Sequence, residues 1–461
     1  MQLASNMFRS SDPLAPATRM VILLWTLCVL CCVADNVTEE RQKLIVLLVD
    51  GCRWDYLKEP DLPGFRAITE NGVRAEYVVP VMPSSSYPNW YSIVTGLYPE
   101  DHGFVSNIMF DEVHQDYFLM TPDKNASLAH WWNHAEPIWI TAEKNGRRTS
   151  MYWWDGCQVV IRGRKPTHCA HYVGYWQWTT VNMDYGYAFN HILDKLENNE
   201  VDMVMVYYEA VDATGHAFGP NSTQRREALK VIDSHLLNLQ EKMKKRRLDE
   251  KINLVVVSDH GMISISPEDV TTIDIAPHID LNDIHSILDS GAFVMIRPYE
   301  DKAEKVYMKL MEARIPGLRV YKKRELPEQW HLKHSYLTQP IVIAADKGYS
   351  IKKLSKPDFG KDTGGRIYHG GHGYDPVQVE EMRTIFVARG PALKKGYVSP
   401  PLNQVDHYNL LCNLLGMPPN RNHGNLESAL NLLSGTRCLS GSLFLSLFLP
   451  FTLVVLIRIS S

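Results

Sequence analysis

Short apolar runs recur along this chain, and most are apolar at every position rather than at alternate positions. Strands of this kind are buried on both faces, as in a parallel sheet covered by helices. Six runs predict strands: Ile45–Val49, Met203–Tyr208, Ile252–Val257, Phe293–Ile296, Ile341–Ala344 and Ile385–Ala388. The pattern predicts an α/β fold with a mostly parallel central sheet and helices on both faces.

One long segment, Thr223–Leu248, has the three- and four-residue apolar spacing of an amphipathic helix. The apolar positions are Leu229, Ile232, Leu236, Leu239 and Met243. Because the segment lies between two predicted strands, we expect it to be the crossover helix of a βαβ unit.

Both ends of the chain indicate targeting. The apolar run over residues 20–30 follows Arg19 and precedes small residues, which is typical of a cleaved signal peptide over residues 1–34. The apolar run over residues 443–457 is typical of a glycosylphosphatidylinositol (GPI) attachment signal, with Ser434 as the expected attachment residue and 435–461 removed. A retained anchor is the alternative at each end. These boundaries leave a single catalytic domain over residues 35–434, on the outer face of the plasma membrane.

Net charge, glycosylation sequons and cysteines indicate which partners and which compartment to expect. The net charge of −4 and the 22% of charged residues do not suggest a nucleic-acid polymer as partner. Sequons at Asn36, Asn125 and Asn221 agree with a secreted glycoprotein. In an oxidising compartment Cys157 and Cys169 would form a short-loop disulfide. The pairing of the other cysteines, Cys52, Cys412 and Cys438, stays open, and an odd cysteine would allow a bridged homodimer.

Acidic residues and histidines follow the ends of three predicted strands. Asp50 ends the first, Asp212 and His216 follow the second, and Asp259 and His260 end the third. Ligands of open parallel sheets bind at the carboxyl ends of the strands. We therefore expect these side chains to share one site.

A late histidine completes a set of metal-binding side chains. The set is Asp50, Asp212, His216, Asp259, His260 and His372. Mixed carboxylate and imidazole ligands suit Zn²⁺, and six are too many for one ion but enough for two. Two ions spaced ~3.5–4 Å apart can stabilise both the attacking and the leaving oxygen of a phosphoryl displacement. The serines at 84–86 would supply a hydroxyl nucleophile, which a nearby metal activates.

Five motifs in this order resemble the ectonucleotide pyrophosphatase/phosphodiesterase family of the alkaline-phosphatase-like superfamily. The motifs are Asp50-Gly51, Ser86-Tyr87-Pro88-Asn89, Thr95–Gly103, Ser258–Met262 and His372–Asp375. The resemblance extends from about Lys43 to about Gly416. It implies an alkaline-phosphatase-like fold with two zinc ions.

The resemblance also implies how the ligands divide. One zinc ion would be held by Asp212, His216 and His372, and the other by Asp50, Asp259 and His260. Ser86 would be the nucleophile and an additional ligand, and Asn107 would donate to a phosphoryl oxygen. The implied reaction has two steps: Ser86 displaces an alcohol from phosphorus, and a zinc-activated hydroxide then releases the phosphorylated serine.

Position within the motifs decides between neighbouring candidates. Family members place the nucleophile directly before an aromatic residue, proline and asparagine, which favours Ser86 over Ser84 and Ser85. Only His372 stands directly before Gly-Tyr-Asp, which favours it over His369.

The residue at the nucleophile position bears on which phosphodiester is the substrate. Nucleotide-cleaving members have threonine where this chain has Ser86, and a serine there resembles the choline-specific glycerophosphodiester phosphodiesterases of the family. The segments Met151–Cys157 and Arg164–Cys169 resemble the same branch. Aromatic faces bind trimethylammonium groups, and the candidates for a choline site are Trp153, Trp154, Tyr172 and Tyr207. The expected activity is hydrolysis of glycerophosphocholine or lysophosphatidylcholine to phosphocholine, with nucleotide or sphingomyelin-type phosphodiesters as alternatives.

Overall fold

The computed structural model describes residues 42–172, 178–354, 356–357 and 367–435. These described residues belong to one compact unit. The expected signal peptide, the removed tail beyond Gly435, the sequon at Asn36 and Cys438 lie outside the described residues. Among the described residues, no helix has both the length and the apolar character needed to cross a membrane.

Short strands and helices alternate along the described chain. The strands are β1 (Lys43–Val49), β2 (Val73–Ala75), β3 (Val78–Val79), β4 (Met109–Asp111), β5 (Asp116–Phe118), β6 (Thr149–Tyr152), β7 (His168–Ala170), β8 (Met203–Tyr208), β9 (Ile252–Val257), β10 (Ile263–Ser264), β11 (Thr271–Ile273), β12 (Ile284–Leu288), β13 (Phe293–Pro298), β14 (Leu318–Lys322), β15 (Ile341–Ala345), β16 (Tyr349–Ile351), β17 (Gly370–Gly371), β18 (Phe386–Arg389), β19 (Tyr397–Ser399) and β20 (Leu402–Asn403). The α-helices are Pro63–Glu70, Ser86–Thr95, Pro99–His102, Ala129–Trp132, Ile138–Lys144, Trp178–Glu197, Ala210–Phe218, Thr223–Lys245, Ala303–Glu312, His407–Leu414 and Leu426–Leu430.

An eight-stranded sheet forms the centre, in the order β19-β2-β18-β9-β1-β8-β6-β7. The five strands from β9 to β7 run parallel to one another. Every residue of β1, β8 and β9 is buried. Because successive side chains of a strand point to opposite faces, burial of all of them requires cover on both faces. The predicted α/β fold with a mostly parallel central sheet is confirmed.

Three of the six predicted strands do not fit the expected parallel arrangement. The runs at Phe293 and Ile341 form β13 and β15 of a separate four-stranded antiparallel sheet, in the order β12-β13-β15-β14. The run at Ile385 forms β18, which belongs to the central sheet but is antiparallel to both neighbours. A continuous apolar run reports burial on both faces and carries no information about strand direction.

The predicted crossover helix is confirmed, with its end at Lys245 rather than Leu248. Ser222 begins it, since its side chain accepts a hydrogen bond from the Arg225 backbone N–H. The helix follows β8 and precedes β9, and both of these strands pair in parallel with β1. The carboxyl ends of β1, β8 and β9 therefore lie side by side at one edge of the sheet.

Candidate active site

Three buried carboxylates lie at this edge. Asp50 directly follows β1, Asp259 lies two residues after β9, and Asp212 lies in the helix Ala210–Phe218 after β8. Asp50 Oδ1 and Asp259 Oδ2 are each 3.4 Å from His260 Nε2. Asp50 Oδ1 is buried and has no hydrogen-bond partner among the described residues. Burial raises the pKa of Asp50 well above its usual range, and the charges of Asp259 and Asp212 raise it further.

Gly51 allows Asp212 to lie close to the backbone that follows Asp50. Its φ is +66°, and a Cβ at this position would lie 2.9 Å from the Asp212 Cα atom. Only glycine combines that backbone conformation with so close an approach. Its N–H also donates to Asp259 Oδ1 at 3.1 Å.

Three histidines present the same ring nitrogen to the site. The Nδ1 atoms of His216, His260 and His372 lie 2.7, 2.9 and 3.1 Å from backbone carbonyl oxygens. A neutral imidazole that donates through Nδ1 keeps a lone pair on Nε2. The Nε2 atoms of His216 and His372 are 3.1 Å apart. Burial lowers the pKa of His372, and the neighbouring histidines lower it further, so the ring is neutral and able to bind a metal ion.

These side chains fit two neighbouring metal ions. The potential ligand atoms of Asp50, Asp259 and His260 lie within 4.8 Å of one another. Asp212 Oδ1 lies 3.4 Å from His216 Nε2 and 3.9 Å from His372 Nε2. Imidazole nitrogens and buried carboxylate oxygens, one of them without a hydrogen-bond partner among the described residues, are donors that zinc prefers. All six predicted ligands thus lie in one place. The ligand atoms of Asp212, His260 and His372 also lie within 4.8 Å of one another, so His260 borders both groups, and the expected division between two ions stays a prediction.

Of the three serines, Ser86 has its hydroxyl against this cluster. It is the first residue of the helix Ser86–Thr95, and its Oγ lies 3.3 Å from His260 Nε2. Ser84 is fully buried and donates its hydroxyl hydrogen to the Tyr374 carbonyl at 2.6 Å. Ser85 is a buried residue in the N-cap position. A helix N-terminus favours anionic groups, so a phosphoryl group at Ser86 would be stabilised there.

Two asparagines fix the backbone around Ser86. Asn89 accepts a hydrogen bond from the Val81 N–H at 2.8 Å and donates to the Ser85 carbonyl at 2.8 Å. Asn107 accepts a hydrogen bond from the Tyr87 N–H through its Oδ1 at 3.0 Å. The amide hydrogens of Asn107 then remain available to a phosphoryl oxygen, as its predicted role requires.

Two aromatic residues that the sequence did not assign to the metal site hold the carboxylates. Trp90 donates through Nε1 to Asp259 Oδ2 at 2.6 Å, and Tyr207 donates its hydroxyl hydrogen to Asp50 Oδ2 at 2.6 Å. Such contacts orient metal ligands and tune their affinity. Trp90 lies four residues after Ser86 on the same helical face, and this spacing is the signal that would have revealed it.

The aromatic residues predicted for choline binding are mostly inaccessible. Trp153, Trp154 and Tyr207 are buried, with 8%, 2% and 4% of their surface exposed. Tyr172 is half-buried, and its hydroxyl donates to Glu209 at 2.6 Å. Only Tyr172 therefore offers an accessible ring, and the choline site stays a prediction.

The remaining predicted residues have separate places. His369 bonds to the Ser266 hydroxyl at 2.9 Å rather than joining the cluster. A disulfide joins Cys157 to Cys169, as expected. The sequon residues Asn125 and Asn221 are exposed, as is Ser434. Cys52 and Cys412 are buried free thiols.

Comparison with known proteins agrees with this geometry. The profile of the type I phosphodiesterase / nucleotide pyrophosphatase family matches residues 44–375. Human ectonucleotide pyrophosphatase/phosphodiesterase family member 5 is 35% identical over 85% of this chain and 79% of its own length. The bis(5'-adenosyl)-triphosphatase enpp4 of Xenopus laevis is 32% identical over 92% of this chain and 89% of its own.

A solved structure extends the comparison to the fold. Murine family member 5 superposes with a TM-score of 0.76 at 34% identity, covering 85% of this chain and all of that one. An inactive threonine-to-alanine variant of the murine protein, in complex with AMP, matches equally well. The resemblance to the choline-specific branch is not reflected in these relatives. The chain belongs to the ectonucleotide pyrophosphatase/phosphodiesterase family.

Proposed function

We propose that this protein hydrolyses nucleotide phosphodiesters or phosphoanhydrides, with Ser86 as nucleophile and two zinc ions as cofactors. The observation that carries the proposal is the Ser86 hydroxyl, 3.3 Å from His260 and at a helix N-terminus beside two groups of metal-binding side chains. Nucleotides are favoured as substrates because one relative is named for cleaving a diadenosine triphosphate and another binds AMP. This replaces the choline phosphodiester as the first expectation.

Six side chains of the site would hold the two zinc ions. Asp212, His216 and His372 would hold one ion, and Asp50, Asp259 and His260 the other. Bound zinc supplies a Lewis acid that lowers the pKa of the serine hydroxyl and of water.

The reaction follows from where the chain's own groups lie. The Ser86 oxygen forms a bond to phosphorus as the bond to the leaving oxygen breaks, and a water oxygen then displaces the serine and restores its hydroxyl. The Asn107 amide would donate to a non-bridging oxygen, where charge develops in the transition state.

Choline phosphodiesters are the second candidate substrates, which would yield phosphocholine. Ser86 in place of threonine and the Cys157–Cys169 disulfide are the observations in their favour. The Tyr172 ring also lies 5.9 Å from the Tyr207 ring and beside buried Glu209. An aromatic face next to a carboxylate suits a quaternary ammonium group.

One competition experiment separates the two substrates. The purified, zinc-loaded protein is incubated with equal concentrations of diadenosine triphosphate and glycerophosphocholine, and AMP and phosphocholine are quantified. We expect AMP to form faster, and a chelator to abolish its formation. Faster release of phosphocholine would show that choline phosphodiesters are the preferred substrates. Release of neither product would overturn both proposed activities.

We also propose that the protein enters the secretory pathway and stays on the outer face of the plasma membrane through a GPI anchor near Ser434. The disulfide and the exposed sequon residues Asn125 and Asn221 support the secretory route. Release of the protein from intact cells by a phosphatidylinositol-specific phospholipase C tests the anchor. Retention on the cells after this treatment would contradict it.

A further inference from the structure

A second cluster of histidine and aspartate side chains lies on the hairpin of β4 and β5, apart from the six proposed ligands. Asp111 and Asp116 are directly opposite each other in the antiparallel register of this hairpin. Residues directly opposite in such a pair project from the same face of the sheet. His114 comes from the loop between the strands, and His130 from the helix Ala129–Trp132.

The four side chains converge. Asp111 Oδ2 lies 2.7 Å from His114 Nδ1, and the rings of His114 and His130 stack with centroids 4.2 Å apart. His130 Nε2 lies 3.6 Å from Asp116 Oδ2. Potential ligand atoms of Asp111, His114 and His130 all lie within 4.8 Å of one another.

Two buried atoms in this cluster lack partners. His130 Nε2 and Asp116 Oδ2 are both buried, and neither has a hydrogen-bond partner among the described residues. Their separation of 3.6 Å is too long for a hydrogen bond between them. A buried polar atom left unsatisfied costs about 1–3 kcal/mol. A ligand between these atoms would remove that cost.

The two opposed aspartates favour a cation as that ligand. Like charges directly opposite on paired strands repel, and neither aspartate pairs with a lysine or arginine among the described residues. The cluster therefore combines two carboxylates with two imidazoles.

We propose that Asp111, His114, His130 and Asp116 bind a zinc ion, separate from the catalytic pair. Two imidazole and two carboxylate ligands match the usual coordination number of zinc, and histidine nitrogen and aspartate oxygen are both donors that zinc accepts. The ion would join the hairpin to the helix Ala129–Trp132. Asp111 also accepts a hydrogen bond from the Tyr336 hydroxyl at 2.9 Å, which orients it as partners of metal ligands do.

Metal content tests this site without relying on activity. Wild-type protein and the variants His130→Gln and His114→Gln are dialysed against the same free zinc concentration, and bound zinc is measured by mass spectrometry. His334→Gln, at an exposed histidine outside the cluster, is the matched control. We expect each cluster variant to bind one zinc ion fewer per chain than wild type and the control. Equal zinc content in all four proteins would overturn the proposal.

Two further variants separate this result from the catalytic site. Asp259→Asn and His372→Gln are expected to lose catalytic zinc and activity while the hairpin ion remains. His114→Gln is expected to keep wild-type activity at saturating zinc. If His130→Gln does not fold, His114→Gln decides the question alone, since the His114 side chain is 47% exposed and tolerates substitution.

Discussion

Tyr207 contacts the proposed metal site through Asp50, to which it donates a hydrogen bond of 2.6 Å. The neighbouring Tyr208 donates instead to the Ala228 carbonyl, away from the site. The substitutions Tyr207→Phe and Tyr208→Phe therefore form a matched pair.

We expect Tyr207→Phe to weaken zinc binding about 10- to 100-fold, because Asp50 loses the partner that orients it. Tyr208→Phe should leave zinc affinity near that of wild type. Titration of the zinc-free proteins with zinc, followed by activity, measures the difference. Equal zinc affinity in the two variants would show that the Tyr207 hydroxyl does not support the ligand.

Asp289 is a carboxyl group that the proposed reaction does not use. It accepts a hydrogen bond from Ser106 at 2.9 Å, beside Asn107, and burial raises its pKa from 3.8 to about 6. A carboxyl that holds its proton more tightly in the folded state makes the protein less stable as pH rises between these two values. Above pH 6 the loss of stability is complete.

Asp289→Asn should therefore remove part of the pH dependence between about pH 4 and 6 and raise stability at pH 7 by about 1–3 kcal/mol. Asparagine suits the left-handed backbone of this residue, whose φ is +75°. Asp61→Asn, at an exposed aspartate with φ +63°, is the control. Denaturant unfolding at pH 4 and pH 7 measures the effect, and an unchanged pH dependence in Asp289→Asn would contradict it.

At the scale of elements, the apolar pattern predicted the position of the site better than it predicted which sheet each strand joins. The ends of β1, β8 and β9 were predicted to bring acidic and histidine side chains to one place, and they do, since these three strands are adjacent and parallel. The runs that became β13 and β15 look the same in sequence yet form another sheet. Pairing partners are set by tertiary contacts, which the apolar pattern does not contain.

Asp233 joins two helices and offers a test at this scale. This residue of the helix Thr223–Lys245 is buried, and it accepts hydrogen bonds from the N–H groups of Gly64 and Phe65 at 3.0 and 2.8 Å. It thereby satisfies the first turn of the helix Pro63–Glu70.

Asp233→Ala should lower the free energy of unfolding by about 2–4 kcal/mol, because two buried N–H donors lose their acceptor. Asp233→Asn keeps one acceptor oxygen and should lose less. Thermal and denaturant unfolding of the two variants measure the difference. Equal stability of Asp233→Ala and wild type would contradict the role of this contact.

At the scale of the whole molecule, the metal site brings together residues from 50 to 372 and concentrates negative charge in a buried place. Zinc removal should therefore destabilise the fold, by roughly 2.7 kcal/mol where free zinc had stood at 100 times Kd. Calorimetry before chelation, after it and after zinc is restored measures this. An unchanged melting temperature throughout would show that no ion is bound at the site.

The sequence revealed the candidate ligands because aspartates and histidines follow apolar strands, and family motifs implied how they would divide between two ions. It did not assign the groups that hold them: Tyr207 was predicted for choline binding and Trp90 was left unassigned, and only the fold places them against Asp50 and Asp259. The hairpin cluster was missed for the same reason. Asp111 and His130 meet only through tertiary packing.

The most direct test of the central claim is hydrolysis of a nucleotide phosphodiester by Ser86→Ala at saturating zinc, beside Ser84→Ala as control. Ser84 has its hydroxyl bonded to the Tyr374 carbonyl, so Ser84→Ala should keep its activity and lose about 1 kcal/mol of stability. Ser86→Ala should lose on the order of 10³-fold or more in kcat, as expected when a nucleophile is removed. Wild-type activity in Ser86→Ala would contradict the account.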